Sequence, residues 1–307
     1  MTKIPVFRTI GRAYSFTFRN LGTIIGLVWL PTAVLVALQY YVAVRYLNGY
    51  LSAFAQGNAY ELNSATGLRY LSIILALLLQ AILITPVMRQ ALGLRTGGAV
   101  VSFAIGPTAL RVFGAVAALA LVLIAFAFVA ILAKSVVVIH GVSSALIAAF
   151  AILGLVAIFV AGLIYVSLRL SFLVVAIAVA EKKIDLIRAW RLTGRSFWRI
   201  FVVTVATALP VAILSAILMW AALGFPLPHL PSPAVAAGWK GAPTKVLTWI
   251  IQAVVSRLPY IYGVVFIAAP FSAGLSTGAA AAAYRAVVPP LENNGSSGVP
   301  VPETSAA

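Results

Sequence analysis

Hydrophobic residues fill six long runs of the chain, and charged residues are concentrated in the segments between them. Because a helix needs about 20 apolar residues to cross the hydrocarbon core of a bilayer, each run is predicted to span a membrane. The predicted spans cover approximately 21–44, 70–92, 112–133, 142–168, 200–223 and 259–284. The pattern predicts an all-α membrane protein with six transmembrane helices in a single integral membrane domain, 1–286, followed by a disordered cytoplasmic tail, 287–307.

Two apolar segments do not fit a simple crossing. Pro259 follows Arg257-Leu258, and proline disfavours helix at the preceding residue. We therefore expect 244–257 to form a separate helix at the membrane interface, anchored by Trp249, with the sixth span starting at 259. The segment 170–180 is only about half long enough to span. It is interpreted as a re-entrant or buried segment, as an extension of the fourth helix beyond the membrane, or as a seventh span.

Composition supports the membrane assignment. The chain is 63% hydrophobic and 8% charged, whereas soluble domains have about 25% charged residues. The net charge of +16 does not indicate a nucleic-acid partner, because the charges lie at the ends of apolar runs and not on one soluble module. There is no cysteine, which excludes disulfides and thiolate metal sites. The first run is too long for a signal peptide and is predicted to be retained.

The distribution of positive charge predicts an orientation. If the N-terminus is cytoplasmic, most of the 21 lysines and arginines fall in cytoplasmic segments, as expected from the positive-inside rule. We therefore expect a multi-pass protein of a bacterial cytoplasmic (inner) membrane with both termini in the cytoplasm. The predicted outer loops are 45–69, 134–141 and 224–245.

Two predicted cytoplasmic segments have the same pattern when residue 7 is aligned with residue 187. Each has aromatic and aliphatic residues at helical spacing and arginines on another face, which is typical of an amphipathic helix lying on an anionic leaflet. The candidate lipid-headgroup and interface residues are Arg8, Arg12, Arg19, Arg188, Trp190, Arg191, Arg195, Trp198 and Arg199.

A fainter version of this pattern at 103–113 precedes the third span. The chain is thus predicted to consist of three helical hairpins, each preceded by a cytoplasmic interfacial helix. The alternative is that these segments are basic and aromatic only because they lie beside a membrane, without common ancestry.

A series of short motifs lies around the fourth and fifth spans: Arg169-x-x-Phe172, Glu181, Ala189-Trp190-Arg191-Leu192-Thr193 and Phe197-Trp198-Arg199. This series resembles the bacterial YciC-like proteins and the membrane domains found beside glycerophosphodiester phosphodiesterases. The resemblance implies a six-helix membrane domain but no general activity. It does not extend to the phosphodiesterase, which is a separate soluble domain with paired histidines and carboxylates that this sequence lacks.

Few residues could carry chemistry. Glu181 and Asp185 could hold an ion or a proton as a carboxylate pair, but a structural charge cluster with Arg169 is favoured. His140 and His229 both fall in predicted outer loops, and two histidines without an acid make a poor metal site. The sequence predicts no catalytic residue, no metal site and no cofactor, and hence a protein that is not an enzyme.

Polar and small residues within the spans are interpreted as packing elements. Gln80 and Gln252 are expected to bond neighbouring helices. The pairs Gly22-x-x-x-Gly26 and Gly274-x-x-x-Gly278 are expected to let helices approach within the bundle, with homo-oligomerisation as the alternative.

Three functions remain in order of preference. The first is a non-enzymatic membrane component that engages anionic lipid headgroups, a membrane partner protein, or both, through its basic helices. The second is a transporter or permease subunit, favoured if a polar cavity reaches Gln80 and Gln252. The third is an intramembrane lipid-modifying enzyme, for which the sequence supplies no catalytic constellation.

Overall fold

The computed structural model of the protein describes residues 4–56, 59–94, 106–139, 145–194, 196–223 and 243–288. These ranges are helical and contain no strand. The helices are α1 (Val6–Arg19), α2 (Leu21–Gln56), α3 (Ala59–Ala91), α4 (Pro107–Ile139), α5 (Ala145–Ala180), α6 (Leu186–Thr193), α7 (Phe197–Leu223) and α8 (Pro243–Val287). Six of them are long and apolar enough to cross a membrane, which confirms the predicted fold class.

The segment 170–180 is the last part of α5. It therefore continues the fourth helix and is neither re-entrant nor a seventh span. Its residues are buried because other helices surround it at this end of the bundle. Leu173 and Ile177 are fully buried and belong to one core with Met88 of α3 and Val112 of α4. The apolar sequence of this segment therefore reflects a protein core and not a further crossing.

The predicted break at Pro259 is wrong. Pro259 lies inside α8, which continues from Pro243 to Val287. A proline within an apolar span is tolerated when neighbouring helices and side chains satisfy the freed backbone carbonyl. The predicted interfacial helix 244–257 is consequently the first part of α8 and not a separate element.

The predicted outer loop 45–69 is also largely helical, since α2 runs to Gln56 and α3 starts at Ala59. Arg69 and Arg89 of α3 lie about 30 Å apart at 1.5 Å per residue, which equals the thickness of a hydrocarbon core. Helices α2 and α3 therefore extend beyond that thickness as a helical projection. The predicted outer loop 134–141 is likewise mostly helical, because α4 continues to Ile139. Residues 140–144, 224–242 and 289–307, which hold most of the predicted outer loop 224–245 and of the tail, lie outside the described residues.

Arg12, Arg19, Arg199 and Arg285 lie at one end of the bundle, which we call the basic end. There Arg285, near the end of α8, donates a hydrogen bond to the carbonyl of Ala91, the last residue of α3. Arg199, near the start of α7, donates to the carbonyl of Ile4 at 3.1 Å. The residues at this end are those that the sequence assigns to the cytoplasmic side.

Helix α1 is held close to α8 by small side chains. Thr9, Ala13 and Thr17 form its buried face. A Cβ atom added to Gly278 would lie 3.0 Å from Phe16 Cδ1 and 3.2 Å from the Cα atom of Ala13. A Cβ atom added to Gly274 would lie 2.7 Å from Thr17 Cγ2. Gly274 and Gly278 therefore pack within the bundle, as predicted.

Gly22 differs from this pair. A Cβ atom added to Gly22 would meet nothing within 4 Å among the atoms that the structure describes. The two small-residue motifs look alike in sequence, but the expected close approach is observed at Gly274 and Gly278 and not at Gly22.

Candidate functional site

The arginines of α1 lie on a face that α8 leaves open. Arg8, Arg12, Ser15 and Arg19 are all exposed and recur at helical spacing. The opposite face carries the buried threonines and Ala13. The close packing of α1 on α8 therefore sets where these guanidinium groups point.

A cavity of about 610 Å³ lies between α1, α8 and the end of α3. Three of its lining residues are arginines, namely Arg12 and Arg19 of α1 and Arg285 of α8. Gly278 and Ala282 line it from α8, and their small side chains leave its volume open. The remaining lining residues are Ser15, Phe16, Asn20 and Ala91.

The polar wall of the cavity is fixed by hydrogen bonds. Asn20 Nδ2 donates to the carbonyl of Phe16 at 2.8 Å, and Gln90 Nε2 donates to Asn20 Oδ1 at 3.3 Å. Arg285 is held at the end of α3 by its bond to the carbonyl of Ala91. These hydrogen bonds to amide and carbonyl groups keep the side chains in place but do not neutralise any positive charge.

The cavity carries net positive charge. None of its described lining residues is a carboxylate, whereas three are guanidinium groups. Guanidinium groups that lie close together repel one another unless an anion is present. Each one presents a planar set of donors that matches carboxylate or phosphate oxygens. The arrangement is therefore suited to binding an anion and lacks an evident acid or base for catalysis.

The predicted cluster of Arg169 with Glu181 and Asp185 does not form as one unit. Arg169 and Glu181 lie on the same helix about 18 Å apart at 1.5 Å per residue, too far for an ion pair. Glu181 instead accepts from Arg188 at 3.0 Å and from Tyr284 at 2.9 Å. Asp185 caps α6 by accepting from the backbone N–H of Arg188 at 2.8 Å.

Arg169 is buried and held mainly by aromatic residues. Its guanidinium carbon lies 3.7 Å from the ring centre of Trp190, which is a cation–π contact. Its Nη1 donates to Tyr165 Oη at 2.7 Å and its Nη2 to the carbonyl of Trp190 at 3.0 Å. Thr193 Oγ1 in turn donates to the carbonyl of Arg169 at 3.0 Å. We call Arg169, Tyr165, Trp190 and Thr193 the clasp.

The clasp gives Trp190 a different place from the predicted one. Trp190 packs under Arg169 and is only partly exposed, whereas Trp198 has 73% of its surface exposed, as an interface residue requires. Arg191 is exposed, Arg199 is bound to the carbonyl of Ile4, and Arg195 lies outside the described residues.

Sequence reasoning missed Arg285 as a site residue. A signal was present, because Arg285 follows Gly278 by seven residues and Ala282 by three, which places all three on one helix face. That face could be recognised as a small-residue stripe ending in a cation. Its alignment with Arg12 and Arg19 depends on how α1 packs against α8.

A separate polar feature lies within the spans. Gln80 of α3 lines two cavities of about 270 and 300 Å³. Thr204 lines the first and Thr32 the second, and the hydroxyl oxygen of each is buried without a hydrogen-bond partner in the described part of the chain. Gln252 is exposed on α8 and is not among the residues that line either cavity.

His140 and His229 lie outside the described residues. Within the ranges that the structure covers, no group of three or more His, Cys, Asp or Glu residues could hold a metal ion. Comparison of the chain with family models, with curated proteins and with solved structures found no match. The resemblance to the YciC-like family therefore stays a prediction, and the geometry of the basic end carries the functional argument.

Proposed function

We propose that this integral membrane protein is a non-enzymatic component that binds anionic lipid at its basic end. The observation that carries the proposal is the cavity lined by Arg12, Arg19 and Arg285 without a carboxylate among its described lining residues. Anionic headgroups would supply the negative charge that compensates these guanidinium groups. The proposal places the basic end at the cytoplasmic leaflet of a bacterial inner membrane, in line with the positive-inside rule.

Exposed aromatic side chains beside the arginines support this proposal. Phe7 and Phe18 of α1 are 91% and 61% exposed, and Trp198 of α7 is 73% exposed. Large exposed apolar side chains next to cations are typical of helices that bury one face at the lipid interface and turn the other to headgroups. The same side chains in water would be a cost without a function.

The test is native mass spectrometry of the full chain extracted with its surrounding membrane in polymer discs. The wild-type protein is compared with a variant in which Arg8, Arg12, Arg19 and Arg191 are all glutamine. We expect the wild-type discs to be enriched in anionic lipid relative to the membrane and the variant discs to lose that enrichment. Equal lipid composition in both would contradict the proposal, and a stoichiometric second protein would assign the basic end to a protein partner.

The proposed orientation has its own test. Because the chain contains no cysteine, single cysteines can be placed at Lys183, exposed at the basic end, and at Asn48, exposed near the other end of α2. In intact cells, a thiol reagent that does not cross membranes should label Asn48→Cys and not Lys183→Cys. The reverse result would place the basic end outside.

Transport is the second candidate, supported by the cavities on either side of Gln80. Their walls are mainly apolar with a few hydroxyl and amide groups, which fits a small amphipathic solute. If a route passes here, Gln80→Cys should react with a water-soluble thiol reagent, whereas Ile74→Cys, exposed on the same helix, should not. Failure of Gln80→Cys to react would remove this candidate.

A further inference from the structure

We infer that the cavity between α1 and α8 is a specific binding site for a phosphate group, held by Arg12, Arg19 and Arg285. This deepens the proposed function and rests on it for the claim that the phosphate belongs to a lipid. A phosphate has several oxygens that accept from guanidinium forks at once, so three arginines that line one cavity suit it better than they suit a single carboxylate.

The arginines are brought together by tertiary contacts and not by sequence. Arg12 and Arg19 come from the first helix and Arg285 from the last one. Gly278 allows α1 to approach α8 until Phe16 and Ala13 lie in contact range of it. The bond from Arg285 to the carbonyl of Ala91 fixes the third cation at the cavity wall. The three exposed arginines therefore line one concave surface formed by two distant parts of the chain.

Charge compensation separates this site from Arg188 and Arg169 at the same end of the bundle. Arg188 already has Glu181 at 3.0 Å, and Arg169 lies over Trp190. Among the described residues, no carboxylate forms an ion pair with Arg12, Arg19 or Arg285. A bound dianion would compensate most of their positive charge.

The volume indicates a phosphate that carries an organic group. The cavity is an open cleft of about 610 Å³, which leaves room for more than an inorganic phosphate. Phe16 supplies an apolar wall beside the polar one formed by Ser15 and Asn20. A phosphate ester with a glycerol backbone matches this mixed lining better than the free ion does.

The experiment uses the purified full chain in detergent and three probes. These are a short-chain phosphatidic acid, the matching phosphatidylcholine as a zwitterionic lipid, and inorganic phosphate. Bound lipid is counted by native mass spectrometry, and each affinity is obtained from the ligand-dependent shift of the unfolding temperature. The unfolding temperature without ligand shows whether each variant is folded.

We expect Arg12→Gln, Arg19→Gln and Arg285→Gln each to weaken phosphatidic acid binding about tenfold, since each removes a charge-assisted contact. The matched controls are Arg8→Gln and Arg191→Gln, which remove the same charge from exposed positions that do not line the cavity. Their expected loss is less than about twofold, because a charge outside the cavity acts on the bound phosphate only through a screened field. Arg12→Lys, which keeps the charge but not the fork, should fall between the two.

Ala282→Leu tests the cavity without changing any charge. Ala282 lines it, so a larger side chain should exclude the lipid headgroup and weaken phosphatidic acid binding about as much as Arg12→Gln does. If Ala282→Leu binds like the wild type, and Arg8→Gln loses as much as Arg12→Gln, the cavity is not the site and only a diffuse basic surface remains. That result overturns this inference and leaves the proposed function standing.

The probes also separate lipid phosphate from free phosphate. Binding of phosphatidic acid that depends on the three arginines, with phosphatidylcholine inactive, supports a lipid phosphate site. Arginine-dependent binding of inorganic phosphate without any lipid binding keeps the phosphate site but overturns the proposed function. No arginine-dependent binding of either anion overturns the site itself.

Discussion

Helices α1 and α6 carry the same sequence pattern but are used differently. Both are short, basic and amphipathic, and both precede a span. Arg12 and Arg19 of α1 line an open cavity shared with α8. In α6, Arg188 is paired with Glu181 and Trp190 is covered by Arg169. One helix thus presents its charge outward, while the other uses its polar groups to hold the bundle together.

The difference shows that an amphipathic pattern does not by itself identify a lipid-binding helix. What decides the use of an arginine is the chemistry that the fold places beside it. Glu181, at the end of α5, lies within reach of α6, whereas α1 packs against glycine and alanine on α8.

The seat of α1 on α8 should be the most sensitive point. Gly278→Leu places atoms where Phe16 and Ala13 already lie, so α1 must shift. We expect a loss of about 3 kcal/mol in the free energy of unfolding, measured by denaturant titration in detergent. Gly22→Leu is the matched control, because its added Cβ atom enters open space. Equal losses in the two variants would show that α1 is not seated as the structure has it.

The clasp of α6 should come next. Arg169→Met removes the cation over Trp190 together with the hydrogen bonds to Tyr165 and the carbonyl of Trp190. We expect a loss of about 2 kcal/mol in the free energy of unfolding, because two hydrogen bonds and the cation–π contact of a buried guanidinium group are lost together. The control is Arg191→Met, at an exposed position of α6, which should change stability by less than about 0.5 kcal/mol. If Arg169→Met leaves the free energy of unfolding unchanged, α6 is held by other contacts.

Single hydroxyl groups should then distinguish the two helices. Tyr284 donates to the Glu181 carboxylate and Tyr14 of α1 to the carbonyl of Ala206, each at 2.9 Å. Tyr284→Phe should cost about 1.5 kcal/mol and Tyr14→Phe about 1 kcal/mol, since bonds to charged acceptors are the stronger. Combining each with Glu181→Gln gives a double-mutant cycle. Coupling is expected for Tyr284 and none for Tyr14, which shares no partner with Glu181.

The smallest effect is expected at Arg188, where the sequence alone predicts a lipid contact. Because Glu181 already compensates this arginine, Arg188→Gln should reduce phosphatidic acid binding by less than about twofold. The measurement is the same lipid titration as for Arg12→Gln, which serves as the positive comparison. A loss as large as that of Arg12→Gln would mean that α6 binds lipid as α1 does, and the contrast between the helices would disappear.

The spans were the most predictable part of the molecule because a run of apolar residues is a local signal. Their ends were less predictable. Pro259 does not end α8, and α2 and α3 continue through the expected outer loop 45–69. Helix propensity and proline rules describe isolated segments. In a bundle, neighbouring helices can satisfy the free backbone groups, so a helix can continue where the local rule predicts its end.

The site was predictable only in part. Arg12 and Arg19 were identified from the amphipathic pattern of α1, but Arg285 was not, and Arg169 was assigned to carboxylates that it does not contact. The repeat between α1 and α6 stays a prediction. Its third copy was expected at 103–113, where the described chain shows only the start of α4 at Pro107.

The sequence alone determined that the chain spans a membrane as long helices and that most of its charges lie between its apolar runs. An apolar chain in which charges fall between long runs must satisfy its backbone within helices. The tertiary structure alone decided which cations are compensated. Apolar spans have little preferred face by composition, so their rotation and partners depend on close packing of small residues. At Gly274 and Gly278 that packing brings the first and last helices together, and with them the arginines that line the cavity.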